Sequence, residues 1–281
     1  MEKKVSIAIL LLGIIITSLS TYGAFSGFLY YSSFFALGWW FLIDYINFRI
    51  KDKSFLITSI SKLDFAYLFL ALFIGILTGL MLEVYAQFIT PIWVYKFSTL
   101  SEWALLMAAW GITTPMGFET FKVVNNLMKG IKDTGKVNMG KKSKFLNSLV
   151  PTSIILLFIP VIFFILDIKI YPGLTFVFPL VGIWFLLDHI NYKKNGFCLL
   201  ENIIRINPRV IISLLISTLI MAFIGEVLNV PQKVWTYFGI PFLEYQILGV
   251  PYVILLGWLP LMIIWIAGFY AAKSILKRKY E

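Results

Sequence analysis

Gly38-Trp39-Trp40-Phe41-Leu42-Ile43-Asp44-Tyr45-Ile46-Asn47 returns later in the chain as Gly182-Ile183-Trp184-Phe185-Leu186-Leu187-Asp188-His189-Ile190-Asn191. Seven of these ten positions are identical at one offset, 144 residues, which reads as an internal duplication. The correspondence continues outward. Glu83 precedes Trp93-Val94-Tyr95 as Glu226 precedes Trp235-Thr236-Tyr237, with the offset drifting to 143 and then 142. Glu102 and Glu244 also pair at 142, and Trp110 and Trp258 follow them.

The solvent of these repeats is fixed by composition. Of 281 residues, 60% are hydrophobic and 14% charged, with a mean hydropathy of +0.88. Such a chain cannot cover itself with polar surface, and its long apolar runs lack strand-like alternation. The expected fold is an all-α integral membrane protein of about eight transmembrane helices. The predicted spans are Val5 to Tyr22, Phe28 to Asn47, Phe65 to Tyr85 and Glu102 to Phe121, then Leu149 to Leu166, Thr175 to Asn191, Ile211 to Leu228 and Glu244 to Ala271. The first is read as a retained helix, because no cleavage signal follows it. Residues 1–124 form one four-helix repeat, 125–148 a glycine- and lysine-bearing linker (Gly130, Gly135, Gly140), and 149–281 the second repeat.

The net charge of +10 is confined to short loops. Lys3, Lys4, Arg49, Lys51, Lys53 and Lys62 fall on one predicted side. So do Lys122, Lys129, Lys132, Lys136, Lys141, Lys142 and Lys144 of the centre, and the later Lys193, Lys194, Arg205, Arg209, Lys273, Lys277, Arg278 and Lys279. Lys96, Lys169 and Lys233 oppose them. The positive-inside rule places both termini in the cytoplasm of a multi-pass cell-membrane protein, with anionic lipids rather than nucleic acid as partners of the basic loops. An even number of spans per repeat makes the repeats parallel, related by an axis along the membrane normal. A homo-oligomer is compatible with this reading.

Ionisable groups within apolar segments mark sites. One layer holds Asp44 with Asn47 and Asp188 with Asn191, each pair on one helix face at i,i+3 and suited to clamp a polar head or bind a cation by oxygen ligands, or equally to serve as an interfacial cap or an Asp paired with a nearby Lys or Arg. The opposite layer holds Glu83, Glu226, Glu102 and Glu244 as candidate catalytic carboxylates, with Gln87, Asn229, Trp93, Tyr95, Trp235 and Tyr237 as candidate binding residues. Four crowded acids in an apolar cavity split into proton donors and charge stabilisers. The aromatic rings suit a polyene or a developing cation, and equally suit anchorage at the membrane interface. Pro91, Pro115, Pro231, Pro241, Pro251 and Pro260 are read as helix ends and kinks. Glu119 lacks a matching acid in the second half, and His189 stands where the first half has Tyr45, so both rank lower. Cys198 and His189 are the only cysteine and histidine, which leaves no metal cluster or haem pair within one subunit and no expected cofactor. Phosphate-loop, dinucleotide, zinc-protease and nucleophile-elbow motifs are absent.

The chain resembles uncharacterised bacterial and archaeal multipass membrane proteins in Asp188, Glu226-Val227-Leu228-Asn229 and Trp235-Thr236-Tyr237. More weakly, it resembles integral membrane carotenoid-biosynthesis proteins of the carotenoid hydratase and lycopene cyclase type. Gly225-Glu226, the aromatic pair, Glu244 and Gly249-Val250-Pro251 through Trp258 carry that likeness. Pro241-Phe242-Leu243-Glu244 has one acid where the cyclases resemble Pro-x-Glu-Glu. The second resemblance implies acid-catalysed modification of an isoprenoid or carotenoid-like lipid in the membrane. The alternatives are a secondary transporter or lipid-headgroup exporter, and an assembly or sensing protein.

Overall fold

The computed structural model describes residues 2–97, 99–132 and 145–276. Half of the expected linker, with Gly135, Gly140, Lys136, Lys141, Lys142 and Lys144, lies outside the described residues, as do Lys277, Arg278 and Lys279.

The structure is all-α apart from two short ribbons. In order it runs α1 (Glu2–Ser26), α2 (Tyr31–Lys51), α3 (Phe55–Ser61), α4 (Phe65–Val84) with a π-helical turn (Tyr85–Ile89), β1 (Trp93–Tyr95) and α5 (Leu100–Leu127). Then come α6 (Leu149–Ile165), α7 (Pro172–Thr175), α8 (Val177–Lys193), α9 (Leu199–Ile204), α10 (Pro208–Gln232), β2 (Trp235–Tyr237), β3 (Gln246–Ile247), β4 (Val250–Pro251) and α11 (Tyr252–Ile275). Helix α5 runs past the expected boundary at 124. Among the described residues, five helical stretches are long and apolar enough to cross a membrane: Glu2–Ser26, Phe65–Ile89, Pro172–Lys193, Pro208–Gln232 and Tyr252–Ile275. Their outward faces carry exposed Leu19, Phe69, Phe73 and Leu219. This apolar perimeter is what hydrocarbon, unlike water, tolerates.

Local chemistry sets the ends. Helix α2 stops at Asp52, whose left-handed backbone (φ 54°) lets its N–H reach Phe48 O at 2.7 Å. Thr99 and Glu102 close a reciprocal capping box at the start of α5. Asn207 accepts from Val210 N, and Pro208 takes the first position of α10, where no N–H is needed.

In each half the first long helix packs on the second, and the second and third pack on the fourth: α1 on α2, α2 and α4 on α5, then α6 on α8, α8 and α10 on α11. The halves meet where α5 touches α10 and α11, and where α11 touches α4. One strand from each half joins them. β1 pairs antiparallel with β2 in the register Trp93↔Tyr237, Val94↔Thr236, Tyr95↔Trp235. The bonds Lys96 N→Val234 O and Phe238 N→Ile92 O, both 2.9 Å, extend this ladder at its two ends.

The expected last span beginning at Glu244 is corrected. Residues near Glu244 form a turn that leads into the β3–β4 hairpin, in which Leu248 (φ 52°) and Gly249 (φ 80°) make the reversal, and α11 starts only at Tyr252. A two-residue loop with both φ positive matches the strand twist that a hairpin needs, and hydropathy alone does not see it.

Candidate functional site

Glu83, on the last turn of α4, and Glu226, near the end of α10, are each 3% exposed. Indole and phenol groups converge on both. Glu83 accepts from Tyr95 Oη at 2.7 Å, Trp110 Nε1 at 2.9 Å, Trp93 Nε1 at 3.1 Å and, at 3.4 Å, Gln87 Nε2 from the π-helical turn. Glu226 accepts from Tyr237 Oη at 2.6 Å and Trp258 Nε1 at 2.9 Å, while Trp235 Nε1 donates to Tyr237 Oη at 3.0 Å. Asn229 fixes the strand that brings these rings: its Nδ2 donates to Trp235 O at 2.9 Å and its Oδ1 accepts from Trp235 N. In each half, then, the sequence-predicted glutamate, Trp-x-Tyr pair and amide belong to one network.

Glycine makes room for the indoles. A Cβ on Gly79 would lie 2.3 Å from Trp110 Cγ, and one on Gly225 would lie 2.8 Å from Trp258 Cη2. Each indole therefore lies across a helix backbone that only glycine leaves bare, which aims its N–H at a carboxylate.

The same rings wall a cavity between α2, α5, α10 and α11, roofed by β1 and β2. About 170 Å³ of it is open to the centres of water-sized molecules. Trp39, Trp93, Trp110, Trp235, Trp258 and Trp265 line it, with Tyr31, Tyr95 and Tyr237. Trp258 and Trp265 meet edge-to-face at 5.8 Å. The carboxylates stand behind this wall, linked to the cavity through the N–H and O–H groups of lining residues. Burial, then the neighbouring glutamate carboxylate, pushes the Tyr95 and Tyr237 phenols well above the usual tyrosine range, so both keep their protons. Two lining groups are buried without a hydrogen-bond partner among the described residues, Tyr31 Oη and Trp265 Nε1.

The other predicted acids do not join this site. Glu102 is the capping residue of α5: its carboxylate accepts from Thr99 N at 2.7 Å and Thr99 Oγ1 at 2.9 Å. Glu244 is exposed in the turn before β3. The expected crowd of four carboxylates is therefore two, and Glu102 and Glu244, which pair at offset 142, stand in unlike settings.

Asp44, Asn47, Asp188 and Asn191 are fully buried at the far ends of the helices. Asp44 accepts from Leu56 N at 2.7 Å, Ile57 N at 3.0 Å and Ser54 Oγ at 2.7 Å. Asp188 accepts from Leu200 N at 2.6 Å, Leu199 N at 3.1 Å and Trp184 Nε1 at 2.8 Å. Each carboxylate thereby caps a short helix, α3 or α9, from a neighbouring helix. The amides tie helices together: Asn47 Nδ2 donates to Glu119 O at 2.8 Å and to the Glu119 carboxylate, and Asn191 Nδ2 donates to Ala267 O at 3.0 Å. Glu119, ranked low from sequence, is a fully buried member of the first network and also accepts from Phe55 N. Cys198 is buried, and burial with the adjacent Asp188 pushes its thiol up to about 12, so it is an inert packing group. His189 Nδ1 lies 3.0 Å from Leu146 O, a local polar contact.

Among the described residues no group of three or more His, Cys, Asp or Glu is placed to hold a metal ion. No family model, curated protein or solved structure matches the chain.

Proposed function

We propose that the chain modifies an isoprenoid or carotenoid-like lipid by carboxylate-driven proton transfer in the aromatic cavity. The observation that carries this reading is a wall of indole and phenol rings with Glu83 and Glu226 hydrogen-bonded directly behind it. Ring faces stabilise a carbocation by cation–π attraction, most strongly for tryptophan and where water is excluded. In each pair, Glu226 with Tyr237 or Glu83 with Tyr95, the glutamic acid supplies a proton to a double bond by way of the phenol, which gives up its own proton and takes that of the acid. The carboxylate left behind balances the cation. Water then adds, or a neighbouring proton leaves, and the proton returned to the pair closes the cycle. Tyr31 Oη and Trp265 Nε1 supply unpaired polar positions for a water or a ligand oxygen. The resemblance to membrane carotenoid hydratases and cyclases points to the same chemistry.

The reading includes an eight-span membrane topology with two parallel four-helix repeats, 1–124 and 149–281, and both termini cytoplasmic. Its support is the charge segregation of the loops and the recurrence of the Glu–Trp–Tyr and Asp–backbone networks at matching positions. Cysteine labelling at Lys169 and Lys193 from each side of sealed vesicles tests the sidedness, in a Cys198→Ala background. Labelling of both positions from the same side refutes it.

The catalytic test is expression in a polyene-producing cell, followed by mass analysis of the extracted lipids. The expected product gains one water or is an isomer of the substrate, and Glu226→Gln lowers its formation by about 10²–10³-fold. The same cage favours a second reading, carriage of a permanent lipophilic cation. Flux of such a cation into sealed vesicles, without any new lipid product, would replace the enzyme reading.

A further inference from the structure

A second cavity lies at the opposite, lysine-rich end of the bundle, and neither glutamate network reaches it. About 340 Å³ is open to the centres of water-sized molecules, twice the space of the aromatic cavity. Four ammonium groups border it: Lys53 after α2, Lys62 after α3, Lys122 on α5 and Lys273 on α11. Lys53 and Lys62 are exposed, whereas Lys122 and Lys273 are half-buried. Glu119 is the one carboxylate among the lining residues, and it is already engaged by Phe55 N, Asn47 and, at 3.7 Å, Lys122. Positive charge is therefore in excess.

The polar lining is suited to an anion. Thr58 Oγ1 accepts from Ser54 N at 3.2 Å, which leaves its hydroxyl hydrogen free to donate. Ser59 adds a second buried hydroxyl residue to the lining. The back wall is of another kind, built from Phe55, Phe118, Phe269 and Tyr270, with Phe118 and Phe269 stacked at 3.7 Å. Basic rim and aromatic back wall together match a molecule with an anionic head and an apolar body.

The second half closes the matching place. Phe197 stands at the position of Lys53 and stacks on Tyr270 at 4.4 Å, Cys198 stands at that of Ser54, and Arg205, in the place of Lys62, is ion-paired with Glu201. The charge in the first half is thus a local feature rather than a general property of this end.

We propose that this pocket binds the phosphate ester of an amphiphile, with Lys53, Lys62, Lys122 and Lys273 holding the phosphate oxygens and the phenylalanine wall holding the adjoining chain. Phosphate chemistry is favoured because several ammonium donors around one compact site suit three or four acceptor oxygens. The source is a membrane phospholipid or a phosphorylated isoprenoid, and free inorganic phosphate shares the head chemistry. The site is independent of catalysis at the aromatic cavity.

The test is native mass spectrometry of the full chain in detergent, titrated separately with short-chain phosphatidic acid, inorganic phosphate and short-chain diacylglycerol. Phosphatidic acid should bind saturably, diacylglycerol should not, and Lys53→Gln/Lys62→Gln should weaken binding by about tenfold or more. The paired variant Lys193→Gln/Lys194→Gln, at the same end of the second half, should leave it unchanged. All four substituted lysines are exposed, and an unaltered thermal transition would verify folding. Inorganic phosphate binding as tightly as phosphatidic acid would retain the phosphate site and overturn the amphiphile. Equal binding of diacylglycerol, or equal loss in both lysine pairs, would overturn the site itself.

Discussion

The gap between α2 and α10 and the gap between α8 and α4 are framed by corresponding residues of different size. At offset 144, Ser32 and Ala36 on α2 correspond to Phe176 and Leu180 at the start of α8, and at 143 Leu228 corresponds to Tyr85. Ser32, Ala36 and Leu228 line the aromatic cavity. Their counterparts are buried: Phe176 meets Trp93 edge-to-face at 5.2 Å, and Tyr85 Oη donates to Leu157 O at 2.6 Å. Close-packed interiors register a change of a few methylenes, so a difference in side-chain size at three positions is enough to make one cavity where two gaps exist. The glutamate networks are common to both sides, and the open space beside them is not.

Closing the open gap should have the largest effect. Ser32→Phe with Ala36→Leu copies the filled side and should weaken polyene binding by roughly a hundredfold or more, measured by quenching of the cavity tryptophans. An unchanged titration would show that the ligand sits elsewhere. Next, Glu226→Gln should lower turnover by about 10²–10³-fold, with a smaller change in binding, since the amide keeps the shape and loses the acid. Glu83→Gln should cost about tenfold under the same reasoning, because its network faces the filled gap as well; equal losses would mean that both pairs transfer protons.

How far these networks were legible follows from how local they are. Asp44 and Asp188, and the glutamates with their Trp-x-Tyr pairs, recur within short windows, and that recurrence in the sequence exposes them. Their partners were hidden where they depend on remote backbone. The N–H groups that fill Asp44 belong to Leu56 and Ile57, across the turn after α2. The ribbon of Trp93–Tyr95 with Trp235–Tyr237 is not legible in the sequence, because three-residue strands carry no usable alternation. Glu244 was misplaced because an apolar hairpin is indistinguishable by hydropathy from the first turn of a span. The basic pocket draws lysines from four separate segments, and no single window contains it.

The lysine-end aspartates sharpen the comparison from the other direction, since both halves use them alike. Asp44→Ala and Asp188→Ala should each destabilise the protein by about 2–4 kcal/mol, as buried N–H donors lose a charged acceptor, and thermal unfolding in detergent measures this. Substrate turnover by the folded fraction should be unchanged; a selective loss of turnover would restore them as binding groups. The smallest effects separate the other acid pair. Glu102→Ala should cost about 1 kcal/mol through its capping box, while exposed Glu244→Ala should stay within about 0.5 kcal/mol.

The ribbon that roofs the cavity also bears on the order in which the molecule is made. Its central pair, Val94 against Thr236, joins residues from opposite halves, so β1 has an open edge until β2 is synthesised. An open edge is an adhesive surface. A first half inserted alone thus carries the means to recruit its counterpart, and a chain cut between the halves should regain its cavity when the two pieces are produced together.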